Sequence, residues 1–132
     1  MKKYDAAVFI GRFQPVHNAH VEILQRAAKL ANKVVVIIGS AYLPRTVKNP
    51  FTAQERNTML SLVISRIKAE NPGVEFYIYY ISNTMYNDQA WAVQVQNAVD
   101  NAISHQQGLT IALIGHKKDN SSFYLNRSEE HT

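Results

Sequence analysis

This sequence predicts a single α/β domain in which helices flank a parallel sheet, and three observations support that reading. Continuous short apolar runs end at glycine three times, at Gly11, Gly39 and Gly115. Stretches with apolar residues at helical spacing lie between them. The first three elements read strand, helix, strand, a unit whose right-handed crossover makes its two strands parallel. The chain has 132 residues, the length of one domain, and with 46% hydrophobic residues it can bury a core.

In chain order, Ala6 to Ile10 is an apolar run stopped by Gly11, the pattern of a strand buried on both faces. Val21, Ile23, Leu24, Ala27, Ala28 and Ala31 then recur near helical spacing, with Asn18 as the expected N-cap. Val34 to Ile38 is a second strand ending at Gly39. Ser40 to Pro50 contains two prolines and no periodicity, which predicts a loop at the same sheet edge as the Gly11 turn.

Thr52-Ala53-Gln54-Glu55 has the capping-box pattern, Thr52 bonding the Glu55 amide and Glu55 reaching back. Met59, Leu60, Val63, Ile64 and Ile67 follow as an apolar stripe, so a helix runs to about Glu70 and stops at Asn71-Pro72-Gly73. Val74 to Ile81 is strand-like. Asp88 to Ser104 is a helix carrying Trp91, Val95, Ala98, Val99 and Ala102, and Leu109 to Ile114 is a buried strand ending at Gly115. Ligands of open α/β sheets bind at the carboxyl ends of the strands, so the three glycines mark one site rim.

Composition narrows the function classes. Without cysteine there are no disulfides and no thiolate metal sites, and the chemistry falls to oxygen and nitrogen groups. The apolar stretch after Met1-Lys2-Lys3-Tyr4-Asp5 lacks the length and cleavage site of a signal peptide, and nothing approaches the ~18–20 apolar residues of a membrane span. A cytoplasmic protein without membrane contact is the expectation. The net charge is +4, with basic residues clustered near Arg45 and Lys48 and at His116-Lys117-Lys118. That suits a compact polyanion; the interleaved aromatic and basic residues of a nucleic-acid platform are not evident.

The chemistry concentrates in Gly11-Arg12-Phe13-Gln14-Pro15-Val16-His17-Asn18-Ala19-His20, between a buried strand and a helix N-terminus. Such a place favours anions, because the first helical amides lack internal partners and the helix dipole is positive there. Gly11 would let the backbone approach a phosphate closely, Arg12 can fork onto phosphate oxygens, and His17 and His20 can share one face of the first turn. Either histidine alone could equally cap or pack. As a metal site the pair lacks a nearby carboxylate or cysteine as third ligand, so no protein-held metal is expected.

This decapeptide resembles the G-R-F-Q-P-x-H-x-G-H signature of the nucleotidyltransferase superfamily, in the form found in nicotinamide-nucleotide adenylyltransferases. Ala19 stands where that family usually has glycine; its methyl favours the helix and adds bulk where a phosphate would lie. Asn49-Pro50-Phe51-Thr52-Ala53-Gln54-Glu55-Arg56 is similar to another segment of these enzymes, and Arg56 could either contact phosphate or brace nearby backbone. Tyr86-Asn87-Asp88-Gln89-Ala90-Trp91 looks like the segment whose tryptophan stacks on nicotinamide, although Trp91 also fits the apolar stripe of its helix. Gly115 to Leu125 is close to a stretch found in the branch that carries a Nudix hydrolase domain. There Lys117 and Lys118 would meet phosphates, or else form a solvated turn.

The resemblance implies a Rossmann-like nucleotidyltransferase fold over residues 1–126 and transfer of the adenylyl group of ATP to nicotinamide mononucleotide, giving NAD and pyrophosphate, with Mg²⁺ carried on ATP. It implies catalytic roles for Arg12, His17 and His20. Gly11, Phe13, Gly115, His116, Lys118 and Asp119 would bind ATP and its phosphates, and Gly39, Ser40, Asn49, Arg56, Asn87 and Trp91 would bind the nicotinamide nucleotide. A homo-oligomer is compatible, and a Nudix domain is expected downstream in the parent protein. The alternatives are another cytidylyl- or adenylyltransferase of the superfamily and a non-catalytic nucleotide-binding regulatory module.

After Asn126 the resemblance stops. Arg127-Ser128-Glu129-Glu130-His131-Thr132 resembles the in-frame translation of a sequencing-adapter stem, and residues 127–132 are read as a non-native tail. The family's later I-S-S-T-x-x-R segment, which helps bind the triphosphate, does not occur. The expectation is therefore a C-terminally incomplete domain with impaired catalysis.

Overall fold

The computed structural model describes residues 2–39, 45–47, 50–82, 88–114 and 123–126. The elements run β1 (Tyr4–Gly11), α1 (Asn18–Leu30), β2 (Ala31–Ile38), α2 (Ala53–Glu70), β3 (Glu75–Tyr80), α3 (Asp88–Ala102), β4 (Thr110–Ile114) and β5 (Phe123–Asn126). They build one sheet in the order β3-β2-β1-β4-β5. β1 pairs in parallel with both β2 and β4, and β2 with β3. β5 adds an antiparallel edge, Ile111 opposite Leu125, a strand that the sequence reading left inside a motif.

Side-chain alternation divides the core into two layers. Ala7 and Phe9 of β1 and Val34, Val36 and Ile38 of β2 pack with Leu24 and Ala27 of α1 and Leu60 and Ile64 of α2. Ala6, Val8, Val35 and Ile37, which point the other way, pack with Ala98, Val99 and Ala102 of α3. Both faces of β1 and β2 are thus covered, which explains why these strands read as continuous apolar runs rather than alternating ones.

The strand order also explains which helix lies where. From β1 the chain steps to β2 and then β3 in one direction, and right-handed crossovers put α1 and α2 on one face. It then crosses back to the far side of β1, so α3 falls on the opposite face. The strand order reverses between β1 and β4, and open α/β sheets take ligands at the carboxyl ends of the strands beside such a reversal.

Two helix starts show how local sequence sets the ends. At α2, Thr52 Oγ1 accepts from Glu55 N (3.1 Å) and Glu55 Oε1 accepts from Thr52 N (2.8 Å), the capping box read from the sequence. Arg45 adds an ion pair to Glu55 at 3.0 Å. At α1 the N-cap is His17, not Asn18, which is the first helical residue. A histidine took the capping place because His20, three residues on, completes a reciprocal pair that Asn18 could not make at its own position.

The Thr52 amide, with Arg45 second, holds the Glu55 carboxyl below its ordinary value near 4.5. A depressed carboxylate stabilises the fold above its unfolded pKa and loses that contribution as pH falls through the folded one. Glu55→Gln should therefore lower the urea midpoint most above pH 4.5, and the gap to the parent should close under more acid conditions. A gap independent of pH would show that the charge of Glu55 contributes nothing.

Candidate functional site

The segment from Gly11 to His20 crosses the carboxyl end of β1 and enters α1. Residues 9–15, with His17 and His20, line a cleft of about 350 Å³. Arg12 and His17 are exposed at it, whereas Phe13 and His20 are buried.

The two histidines are built into the helix start. His17 Nδ1 accepts from Ala19 N (3.3 Å), and His20 Nδ1 accepts from His17 N (3.1 Å). Their rings lie 3.9 Å apart at 32°. With Nδ1 accepting, the proton of each neutral imidazole sits on Nε2, which makes Nε2 the donor. Capping, weighed in the sequence against a chemical role for one histidine, uses Nδ1 of each ring and is compatible with a role at Nε2.

Phe13, expected from the resemblance to bind ATP, is among the residues that line the cleft, and its ring packs into the core. Its side chain is 1% exposed, edge-on to Phe9 (5.4 Å between centroids) and to His20 (4.7 Å). Its φ is 55°, a left-handed backbone that costs a non-glycine residue about 1–2 kcal/mol. Gly11 has a packing role: a Cβ there would lie 2.9 Å from Cζ of Phe13. The absent side chain makes room for a ring.

Arg56 occupies the buried face of α2, one turn before Leu60, and is 1% exposed. Nη1 donates to the carbonyls of Arg12 (2.8 Å) and Gly39 (2.9 Å), and Nε to that of Thr52 (3.1 Å). Gly39 N in turn donates to Gly11 O at 2.8 Å. Burial pushes the guanidinium pKa down, and repulsion from Arg12 adds to this, yet a guanidinium stays protonated in proteins. Of the two roles left open for Arg56, bracing the backbone is the one seen. The apolar positions 60, 64 and 67 extrapolate back to 56 and were the available signal.

Gln14 carried no such signal. Its side-chain amide makes both bonds of a peptide pair with Phe51, donating to the carbonyl (3.0 Å) and accepting from the amide (2.8 Å). The loop after β1 is thus fastened to the segment entering α2 at two points, Gln14 and Arg56.

Gly39 sits at the end of β2 beside this loop, its amide bonded to Gly11. Ser40, Asn49, Asn87, Gly115, His116, Lys118 and Asp119 lie outside the described residues, as does the 127–132 tail. Trp91 is in α3, and its side chain is likewise outside the description. Among the described residues no group of three His, Cys, Asp or Glu side chains could hold a metal, and no helix is long and apolar enough to cross a membrane.

Comparison with known proteins places this loop and sheet in a family. The cytidylyltransferase-like family model matches residues 8–122. The chain belongs to that family. Over all 132 residues it is 40% identical to a nicotinamide/nicotinic acid mononucleotide adenylyltransferase of Acinetobacter baylyi, covering 66% of that protein. Over 67% of its length it is 39% identical to a nicotinamide-nucleotide adenylyltransferase of Methanoculleus marisnigri, covering 49% of it. A bifunctional NMN adenylyltransferase/ADP ribose pyrophosphatase from Francisella tularensis superposes on 88% of the chain with a TM-score of 0.75 at 31% identity. The chain covers 33% of that protein. It therefore spans about half to two thirds of these curated relatives. As a cytidylyltransferase-like domain it has the α/β nucleotidyltransferase fold, with its signature loop at the carboxyl edge of the sheet.

Removing the brace tests how far this loop depends on it. Arg56→Met leaves buried carbonyls without their donor and should cost about 1.5–3 kcal/mol in denaturant unfolding. Arg56→Lys should restore only part of that, since one ammonium does not reproduce the fork. A loss under about 0.5 kcal/mol, the size of a neutral surface change, would mean that water replaces the three bonds.

Proposed function

We propose that this domain transfers the adenylyl group of ATP to nicotinamide mononucleotide, forming NAD and pyrophosphate. The observation that carries the proposal is the convergence of Arg12, His17, His20 and the N-terminus of α1 on one cleft at the end of β1. Every one of these groups donates to or attracts an anion. None is a nucleophile in need of activation, and the reaction requires none, because a phosphate oxygen is already competent to attack.

The 5′-phosphate of the mononucleotide attacks the α-phosphorus of ATP in line, a new P–O bond forms, and the bond to the β-phosphate oxygen breaks to release pyrophosphate. The protein aligns the two nucleotides and stabilises the charge that grows on the departing phosphates. Arg12 supplies a fork for phosphate oxygens, and the Nε2 positions of His17 and His20 supply donors fixed by their Nδ1 caps. A divalent metal, Mg²⁺ in this reading, arrives with the triphosphate. The relative solved with AMP and a Mn ion supports a divalent ion. The names of the curated relatives support the choice of nucleotides. A Nudix-type hydrolase in the same polypeptide belongs to the same reading, supported by the bifunctional name of the Francisella protein.

The test is NAD and pyrophosphate formation from nicotinamide mononucleotide and Mg-ATP, by this chain and by a version extended through the natural gene. His20→Ala should lower kcat about 100- to 1000-fold, the scale set by loss of one transition-state donor, while affinity for the mononucleotide changes little. A preference for CTP would point to another transferase of the family. ATP binding without pyrophosphate release by either version would point to a binding module.

A further inference from the structure

Rings of increasing exposure run from the core to the cleft. Phe9 and Phe13 are each 1% exposed, His20 is 7%, and His17 is exposed. Neighbours along the column are 5.4, 4.7 and 3.9 Å apart between centroids. Its floor is Gly11, whose missing side chain leaves the space that the Phe13 ring fills. Phe13 enters the column through a left-handed backbone, φ 55°, which a bulky residue adopts only where the surroundings hold it.

We propose that Phe13 is a positioning residue for His20: held over Gly11 in a left-handed backbone, its ring sets the plane of the imidazole that caps α1 and faces the cleft. This rests on the adenylyl-transfer reading for its consequence in turnover, though not for its geometry. The aromatic edge contact fixes the tilt of His20, the His20 Nδ1 bond to His17 N fixes its rotation, and the stack on His17 carries the same orientation to the exposed ring. Phe13 thereby acts on the reacting phosphates without touching them. Sequence alone cannot separate this from ligand contact, because both put a phenylalanine beside the glycine.

The observation also links two substitutions. Phe13→Leu removes the edge contact while keeping most of the apolar volume. Gly11→Ala keeps the phenylalanine but drives a methyl into its ring from below, 2.9 Å from Cζ, so the ring must shift. Both should move the ring resonances of His20 in NMR spectra of the folded chain, because the aromatic face above them shifts. In the NAD-forming assay, both should lower kcat about 10- to 100-fold, the penalty of a misplacement near 1 Å, with KM for ATP and for the mononucleotide nearly unchanged.

A folded Phe13→Leu chain with unaltered His20 resonances overturns the proposal whatever the activity. A rise in KM for ATP with kcat preserved also overturns it, since that is the mark of a ligand contact. If the parent chain and its extended form make no NAD, the adenylyl-transfer reading falls, and ring-to-ring NOEs between His20 and His17, which report the imidazole plane rather than the ring current of Phe13, still decide whether Phe13 places His20. Should Phe13→Leu fail to fold, Gly11→Ala supplies the same readout without deleting a core side chain.

Discussion

A buried guanidinium ties the carboxyl ends of two strands to the start of a helix, and the shape of the site depends on that knot. Parallel strands leave their last carbonyls pointing out of the sheet with no ladder partner, a cost if they are buried. Here the carbonyl of Arg12 and that of Gly39 converge on Nη1 of Arg56, while Gly39 N reaches Gly11 O. A lysine in this position has one compact ammonium and no Nε to hold the Thr52 carbonyl at the same time. The charge has a second consequence. It lies beneath the loop that carries Arg12, so the cleft holds a fixed positive field whatever the exposed side chains are doing.

That knot matters because of where the sheet reverses. Strand order β3-β2-β1-β4-β5 puts β1 at the centre, with Phe9 in one core layer and Val8 in the other. A strand buried on both faces has little freedom to shift, and the loop leaving it inherits that rigidity. The Gln14 amide pair with Phe51 then fastens the middle of the loop to the entry of α2. Between the two fastenings, Arg12 and His17 can face solvent while their backbone stays fixed.

Much of this was legible in the residues and some was not, for identifiable reasons. Thr52 and Glu55 announce the start of α2 because a capping box is a local object, complete within four residues. Asn18 looked the better cap at α1 because single-residue preferences rank asparagine highly, whereas the structure rewards a pair, His17 with His20. β2 begins at Ala31 directly after α1, without the loop that the sequence pattern leaves room for, since the C-cap residue is already in the extended conformation. β5 escaped notice because antiparallel pairing with β4 is a long-range fact. Gly11 was singled out because a glycine after a strand leaves room for a phosphate, and the fold adds a second demand that the sequence did not reveal, the phenyl ring of Phe13 packed where a Cβ would lie. Arg56 lay on an extrapolated apolar stripe, the sign of a buried cation, but burial alone does not name its acceptors.

The same arrangement gives each imidazole a backbone partner at Nδ1. In many sites an acidic residue fixes the tautomer of a histidine through one ring nitrogen. Among the described residues lining the cleft there is no Asp or Glu, and backbone amides perform that task, Ala19 N for His17 and His17 N for His20. An anionic partner at Nδ1 would fix the opposite tautomer, with Nε2 an acceptor, and would repel the triphosphate of the proposed reaction. Backbone N–H groups leave the proton on Nε2 while adding to the positive end of the helix. A helix cap made from side chains that line the cleft thus gives orientation, tautomer and favourable charge at once, and in the adenylyl-transfer reading it ties turnover to the integrity of the first turn of α1.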